Sequence, residues 1–162
     1  MKSIRTILLA AFIILLAISS CQTVDLYEKT VNIPGHQWKS SFKPSFSFTI
    51  TDTAAPYKLF ITLRHRDKYH FNNIYLNLAT QQPGQDTVQN APFDLNLGTD
   101  EEGWKGKGMD DIFDHRIALT PDGTGYYFRK KGTYTFTISQ IMREDPLEHV
   151  LNVGLRIEKK QP

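Results

Sequence analysis

The sequence predicts an all-β fold, a single β-sandwich of about eight strands with jelly-roll-like character. Three observations point there. Apolar residues recur with a period of two along most of the chain. The alternating runs are rich in aromatic and β-branched side chains, which suit a pleated, half-buried surface. The breaks between runs are short and carry Pro, Gly, Asp and Asn, the residues of tight turns. Runs of strand length separated by such turns are the pattern of a sandwich.

The first strand is expected near residues 24–32 and the second near 45–51, where Phe46, Phe48 and Ile50 alternate with Ser47 and Thr49. Tyr57, Leu59, Ile61 and Leu63 set the inward face of a strand at 57–66, and Ile74, Leu76 and Leu78 that of one at 71–79. A run at 88–97 holds Phe93, Leu95 and Leu97, and Gly125–Arg129 reads as a short aromatic strand. Tyr134, Phe136 and Ile138 define 133–142, and Val153, Leu155 and Ile157 define 150–158. Gln82–Asp86 and Thr120–Gly125 are turns, while Gly98–Asp111 is the longest connection. Met109–Leu119 allows a short helix or an extended arm crossing one end of the sandwich.

Ahead of the sandwich lies a different kind of segment. Lys2 and Arg5 precede the apolar run Ile7–Ile18, which ends in Ser19-Ser20-Cys21. A basic start, a short apolar stretch and small residues form a signal peptide, and the run is shorter than the roughly 20 residues a spanning helix needs. An aliphatic residue, two small residues and a cysteine are what lipoprotein signal peptidase cleaves. Residues 1–20 are therefore expected to be removed, and 21–162 to be one domain anchored by lipid on Cys21. Cys21 is the sole cysteine, so no internal disulfide is available to it.

Charge narrows the partners. The precursor has 19 Lys+Arg against 17 Asp+Glu, and residues 1–20 hold two of the basic residues and none of the acids. The remainder is formally neutral, which excludes the strong basic excess of a nucleic-acid binder. No Gly-x-Ser-x-Gly elbow and no phosphate-binding glycine loop occurs. Five histidines are present; His65 and His70 are close in sequence, but a zinc site needs a further ligand, and both read as polar residues around the turn at Asp67–Tyr69. The acids at Asp100–Glu102 and Asp110-Asp111 read as solvated loop rather than a calcium site. No catalytic residue, metal or cofactor is assigned.

Three aromatic positions are candidate contacts for a partner or ligand. Trp104 lies among Gly103, Gly106 and Gly108, a composition that implies positive φ or very close packing. It reads either as an exposed binding element or, preferentially, as a plug over one end of the sandwich. Phe60 and Tyr75 fall on the polar side of their strands, and exposed aromatics mark interfaces. A carbohydrate-binding surface built from Trp104, Tyr126 and Tyr127 is the alternative reading.

Several segments together carry a resemblance. Arg64-His65 with Tyr69 and Asn73–Leu76 is the first, and Gly103-Trp104-x-Gly106-Lys107-Gly108 with Asp111-Ile112-x-Asp114 the second. Gly132-x-Tyr134-x-Phe136, Gln140-x-Met142-Arg143, Asp145-Pro146-Leu147 and Val153–Lys159 follow in order. Behind the lipobox, this series resembles the GldH gliding-motility lipoproteins of Bacteroidetes from about Leu26 to Lys159. The resemblance implies a membrane lipoprotein needed for gliding, lipidated at Cys21, whose partners are other gliding or type IX secretion proteins of the envelope. It implies no catalytic activity, and relatives occur in species that do not glide. The residues after Cys21 lack an acidic run, which leans toward a periplasm-facing domain.

Overall fold

The computed structural model describes residues 26–160 except Asp122. The expected signal peptide and Cys21 lie outside the described residues. Strands β1 (Leu26–Asn32), β2 (Gln37–Trp38), β3 (Ser45–Ile50), β4 (Tyr57–Arg66), β5 (Asn73–Gln81) and β6 (Val88–Asn96) come first. Then follow β7 (Gly98–Thr99), β8 (Gly103–Trp104), β9 (Lys107–Met109), β10 (Ile112–Ala118), β11 (Gly132–Gln140), β12 (Leu147–Glu148) and β13 (Val150–Lys159). Two sheets, ordered β1-β13-β4-β10-β9 and β3-β11-β5-β6, form the sandwich, and every pairing is antiparallel. Among the described residues, no helix is long and apolar enough to cross a membrane.

Alternation builds the core. In β4 the odd-numbered residues Tyr57 to His65 are all buried, while the even-numbered ones face outward. Leu155 and Ile157 of β13, Phe46 and Phe48 of β3, Phe136 and Ile138 of β11 and Ile74 and Leu76 of β5 join the same apolar cluster. Each buried side chain of this size contributes about 1.5–3 kcal/mol relative to exposure. Beneath one end, β2 and β12 pair so that Trp38 lies opposite Leu147. Trp38 is fully buried and donates its indole N–H to the Phe42 carbonyl at 2.8 Å, which satisfies the only polar atom of its ring.

The outer face of the four-stranded sheet carries hydroxyls paired across strands: Ser45 with Thr137 at 2.7 Å and Ser47 with Thr135 at 3.0 Å. Its edge strand β6 holds Pro92, which removes a donor from the free edge and guards it against pairing with another chain.

Two expectations need correction. Residues 125–129 do not form a strand: only Tyr126 bridges, to Tyr57, and Phe128 drops into the core at 1% exposure. The aromatic run therefore reports an end plug, since ring burial rather than strand pairing uses those side chains. Met109–Leu119 holds no helix; Ile112–Ala118 is β10, a full member of the five-stranded sheet. Its inward positions are Phe113, His115 and Ile117, and the histidine at the central one hides the apolar alternation.

Candidate functional site

The outer face of the five-stranded sheet is built from residues that alternate with the core. Strand register places Thr30, Gly154, Thr62 and Arg116 in one row across β1, β13, β4 and β10. The neighbouring row is Asn32, Asn152, Arg64, Asp114 and Lys107, and the row on the other side is Glu28, Arg156, Phe60 and Ala118. Gly154 leaves a dip in the floor: a Cβ there would meet the Thr62 hydroxyl at 2.3 Å and the Lys29 carbonyl at 2.7 Å. The result is a groove of about 850 Å³, lined among others by Glu28, Thr62, Arg64, Asp114 and Arg116. The Thr62 hydroxyl oxygen is buried in its floor without a hydrogen-bond partner.

Charges of both signs interlock on this face. Arg64 makes a two-pronged pair with Asp114, Nε to Oδ1 at 2.5 Å and Nη2 to Oδ2 at 2.8 Å. The guanidinium beside it holds the Asp114 carboxyl below the usual carboxylate range. Arg156 bonds both Glu28 and Glu158, and Glu158 also accepts from Arg116. The Arg116 guanidinium sits 4.2 Å from the centroid of Phe60. Such part-exposed pairs stabilise a fold by at most about 1 kcal/mol each. Their larger effect is to display arginines and carboxylates in fixed positions, the property that sets orientation and specificity at a docking surface.

At the edge of this face, β8 and β9 fold the glycine-rich loop over β10. Gly103 has φ +72°, a conformation that suits glycine. A Cβ on Gly106 would meet the Asp114 carbonyl at 2.7 Å and the His115 ring at 2.8 Å, so the loop backbone lies directly on that histidine. Trp104 is half-buried; its ring meets His65 edge-on at 4.4 Å and its N–H donates to Asp67 at 2.8 Å.

Beneath Trp104, His65 and His115 face each other with Nε2 to Nε2 at 2.8 Å. His65 is fully buried and His115 is 6% exposed. The Arg66 carbonyl, 2.7 Å from His65 Nδ1, can only accept, so His65 carries its proton on Nδ1. Its Nε2 must then accept, and His115 donates from Nε2. Both rings are neutral in this arrangement. Burial pushes both pKa values down, and for His115 the neighbouring His65 adds to the effect, to about 4.

The candidate residues from the sequence do not converge. Phe60 is on the groove face, Trp104 caps the edge of the sandwich beside it, and Tyr75 stands 44% exposed on the other sheet. Trp104 packs against His65 near the end of β4, whereas Tyr126 bridges Tyr57 at its start. Eight residues of strand, roughly 27 Å at about 3.4 Å per residue, separate those two ends, so Trp104, Tyr126 and Tyr127 form no common surface. His65 is not a surface residue, and its partner is His115 rather than His70. Sequence reading missed Arg64, Arg116, Arg156 and their carboxylates, which come from four different strands. The outward positions of β4 and β13 carry the signal for Arg64, Arg156 and Glu158, whereas Arg116 and Asp114 lie on β10, whose alternation is hidden.

Fold and groove define the class: an all-β sandwich with a concave, ion-paired sheet face. The model of the GldH lipoprotein family matches residues 25–157, and the chain belongs to that family. It is 28% identical to the gliding motility lipoprotein GldH of Flavobacterium johnsoniae, over 95% of each chain. It is 27% identical to a GldH homolog of Christiangramia forsetii, over 98% of each. Among solved structures, a carbohydrate-binding module specific for non-crystalline cellulose aligns with 79% of this chain and 71% of its own, at 8% identity and a TM-score of 0.41.

Proposed function

We propose that the protein is anchored in the cell envelope by lipid on Cys21, with its sandwich facing the periplasm. There it serves as a non-catalytic component of the gliding machinery and of the secretion apparatus tied to it. Membership of the GldH family supports the gliding role. The observation that carries the mechanism is the groove on the five-stranded sheet. Its fixed arginines and carboxylates suit a polar protein segment of mixed charge. The lipid holds this face close to a membrane, which raises the local concentration of partners embedded there.

Deletion of the gene, complemented with wild type and with Cys21→Ala, tests the tether. Cys21→Ala should leave the membrane fraction and fail to restore surface spreading and cargo secretion. Full complementation by Cys21→Ala would refute the tethered role.

A further inference from the structure

A second cluster lies away from the groove, where the β4–β5 turn meets the segment leading into β13. His70, Glu148 and His149 each offer a ligand atom, and these atoms lie within 4.8 Å of one another. His149 Nε2 and Glu148 Oε2 are 3.9 Å apart, and the His70 and His149 rings meet edge-on at 5.4 Å.

Each of the three is held from behind. Glu144 accepts from His70 Nδ1 at 3.1 Å, which leaves the lone pair of His70 on Nε2. Glu144 is itself fixed by the Glu148 backbone N–H at 3.2 Å. Gln37 donates to Glu148 Oε1 at 3.2 Å, leaving Oε2 toward His149. The His149 carbonyl accepts from the Arg66 N–H at 2.9 Å. His149 also has φ +66°, a left-handed conformation that few non-glycine residues adopt and that clusters at functional sites. A carboxylate behind a histidine, with the opposite ring nitrogen free, is how proteins orient imidazole toward a metal.

We infer that His70, Glu148 and His149 form a binding site for a borderline divalent cation of the zinc class, with Glu144 orienting His70. Two imidazoles and a carboxylate are the donors such a cation takes, leaving a fourth position for water. Ligand atoms around tetrahedral zinc stand about 3.3 Å apart, given bonds of about 2.0–2.1 Å. Closing from 4.8 Å would take side-chain rotation, and half-exposed His70 has room to pivot about its Glu144 bond. The cation would pin the β4–β5 turn to the start of β13, next to the end of the sandwich that Trp104 caps.

The test is titration of the full-length chain in detergent with ZnCl2, with Co2+ as a spectroscopic probe. One Zn2+ per chain is expected, and the Co2+ complex should show visible d–d bands. Glu144→Gln keeps an acceptor for the Glu148 N–H and should weaken binding about 10–100-fold. His70→Ala and His149→Asn should weaken it further and abolish the Co2+ bands. Asparagine tolerates the left-handed backbone, so His149→Asn should fold; the metal-free unfolding midpoint of each variant checks this. His36→Ala, a neighbouring histidine outside the cluster, should bind as wild type. No binding at micromolar zinc, or wild-type affinity in His70→Ala and His149→Asn, would overturn the assignment. So would loss of binding in His36→Ala.

Discussion

Phe128→Ala should lower the unfolding free energy by about 3–5 kcal/mol, the range for emptying a large aromatic site in a core. Phe128 is the hub of the aromatic cluster at one end of the sandwich. Its ring meets Tyr126 and Tyr134 at 4.8 Å, Tyr57 at 5.2 Å and Phe48 at 5.6 Å, so rings from both sheets lean on it. Its backbone belongs to no strand, so burial of the ring, together with the backbone bridge from Tyr126 to Tyr57, holds this segment against the core. A domain of this size has roughly 5–15 kcal/mol in total, so the variant should lose a large share of its stability. Denaturant unfolding at constant slope measures the change. Tyr127→Ala, at a neighbouring 57% exposed ring, should stay within about 0.5 kcal/mol. A loss below 1 kcal/mol in Phe128→Ala would show that the ring is not the plug described.

The second large effect is on pH. His115 in the folded chain takes up a proton only near pH 4, whereas in the unfolded chain it does so near the ordinary histidine value of about 6.5. Between those values the unfolded state binds more protons, so stability is fully present above pH 6.5 and falls as pH drops toward 4. The loss integrates to about 3 kcal/mol, at about 1.4 kcal/mol per unit. Burial shifts His65 in the same direction. Asp114 acts in a separate window: its pKa is depressed, so its contribution is lost only below the unfolded carboxylate value of about 3.9. His115→Gln keeps an N–H donor toward His65 and removes the titration. Its stability should change by roughly 3 kcal/mol less than that of wild type between pH 6.5 and 4. Equal pH dependence in the two proteins would contradict the neutral buried pair.

Legibility followed the physics of alternation. Strands β3, β4, β5, β11 and β13 are legible to within about two residues at each end because each buries a largely apolar row. Strand β10 escaped because its central inward residue is His115, whose burial depends on a partner from β4 that no local pattern reveals. Gly125–Arg129 misleads in the opposite sense, since its aromatic density serves ring burial and not strand pairing. Of the candidate contact residues, Phe60 shares the sheet face that carries the groove. The ion pairs around it join residues up to 128 positions apart, so their geometry is a product of sheet order rather than of spacing. The same holds for His70 and Glu148, which only the β4–β5 turn and the β12–β13 approach bring together. Cys21 is the reverse case: its proposed role rests wholly on local sequence.

The proposed role reduces to a tethered face that engages another envelope protein. Affinity capture of the tagged full-length chain from detergent-solubilised envelope tests it most directly, comparing wild type with Arg64→Glu/Arg116→Glu. The double reversal faces Asp114 and Glu158 with like charge, at a cost of about 1 kcal/mol per exposed pair, so the variant should remain folded. Juxtaposed like charges cost several kcal/mol at an interface. Wild type should recover a stable partner, and the variant should recover at most about a tenth as much. Absence of any partner with wild type, or equal recovery by the variant, would contradict the groove as the working surface.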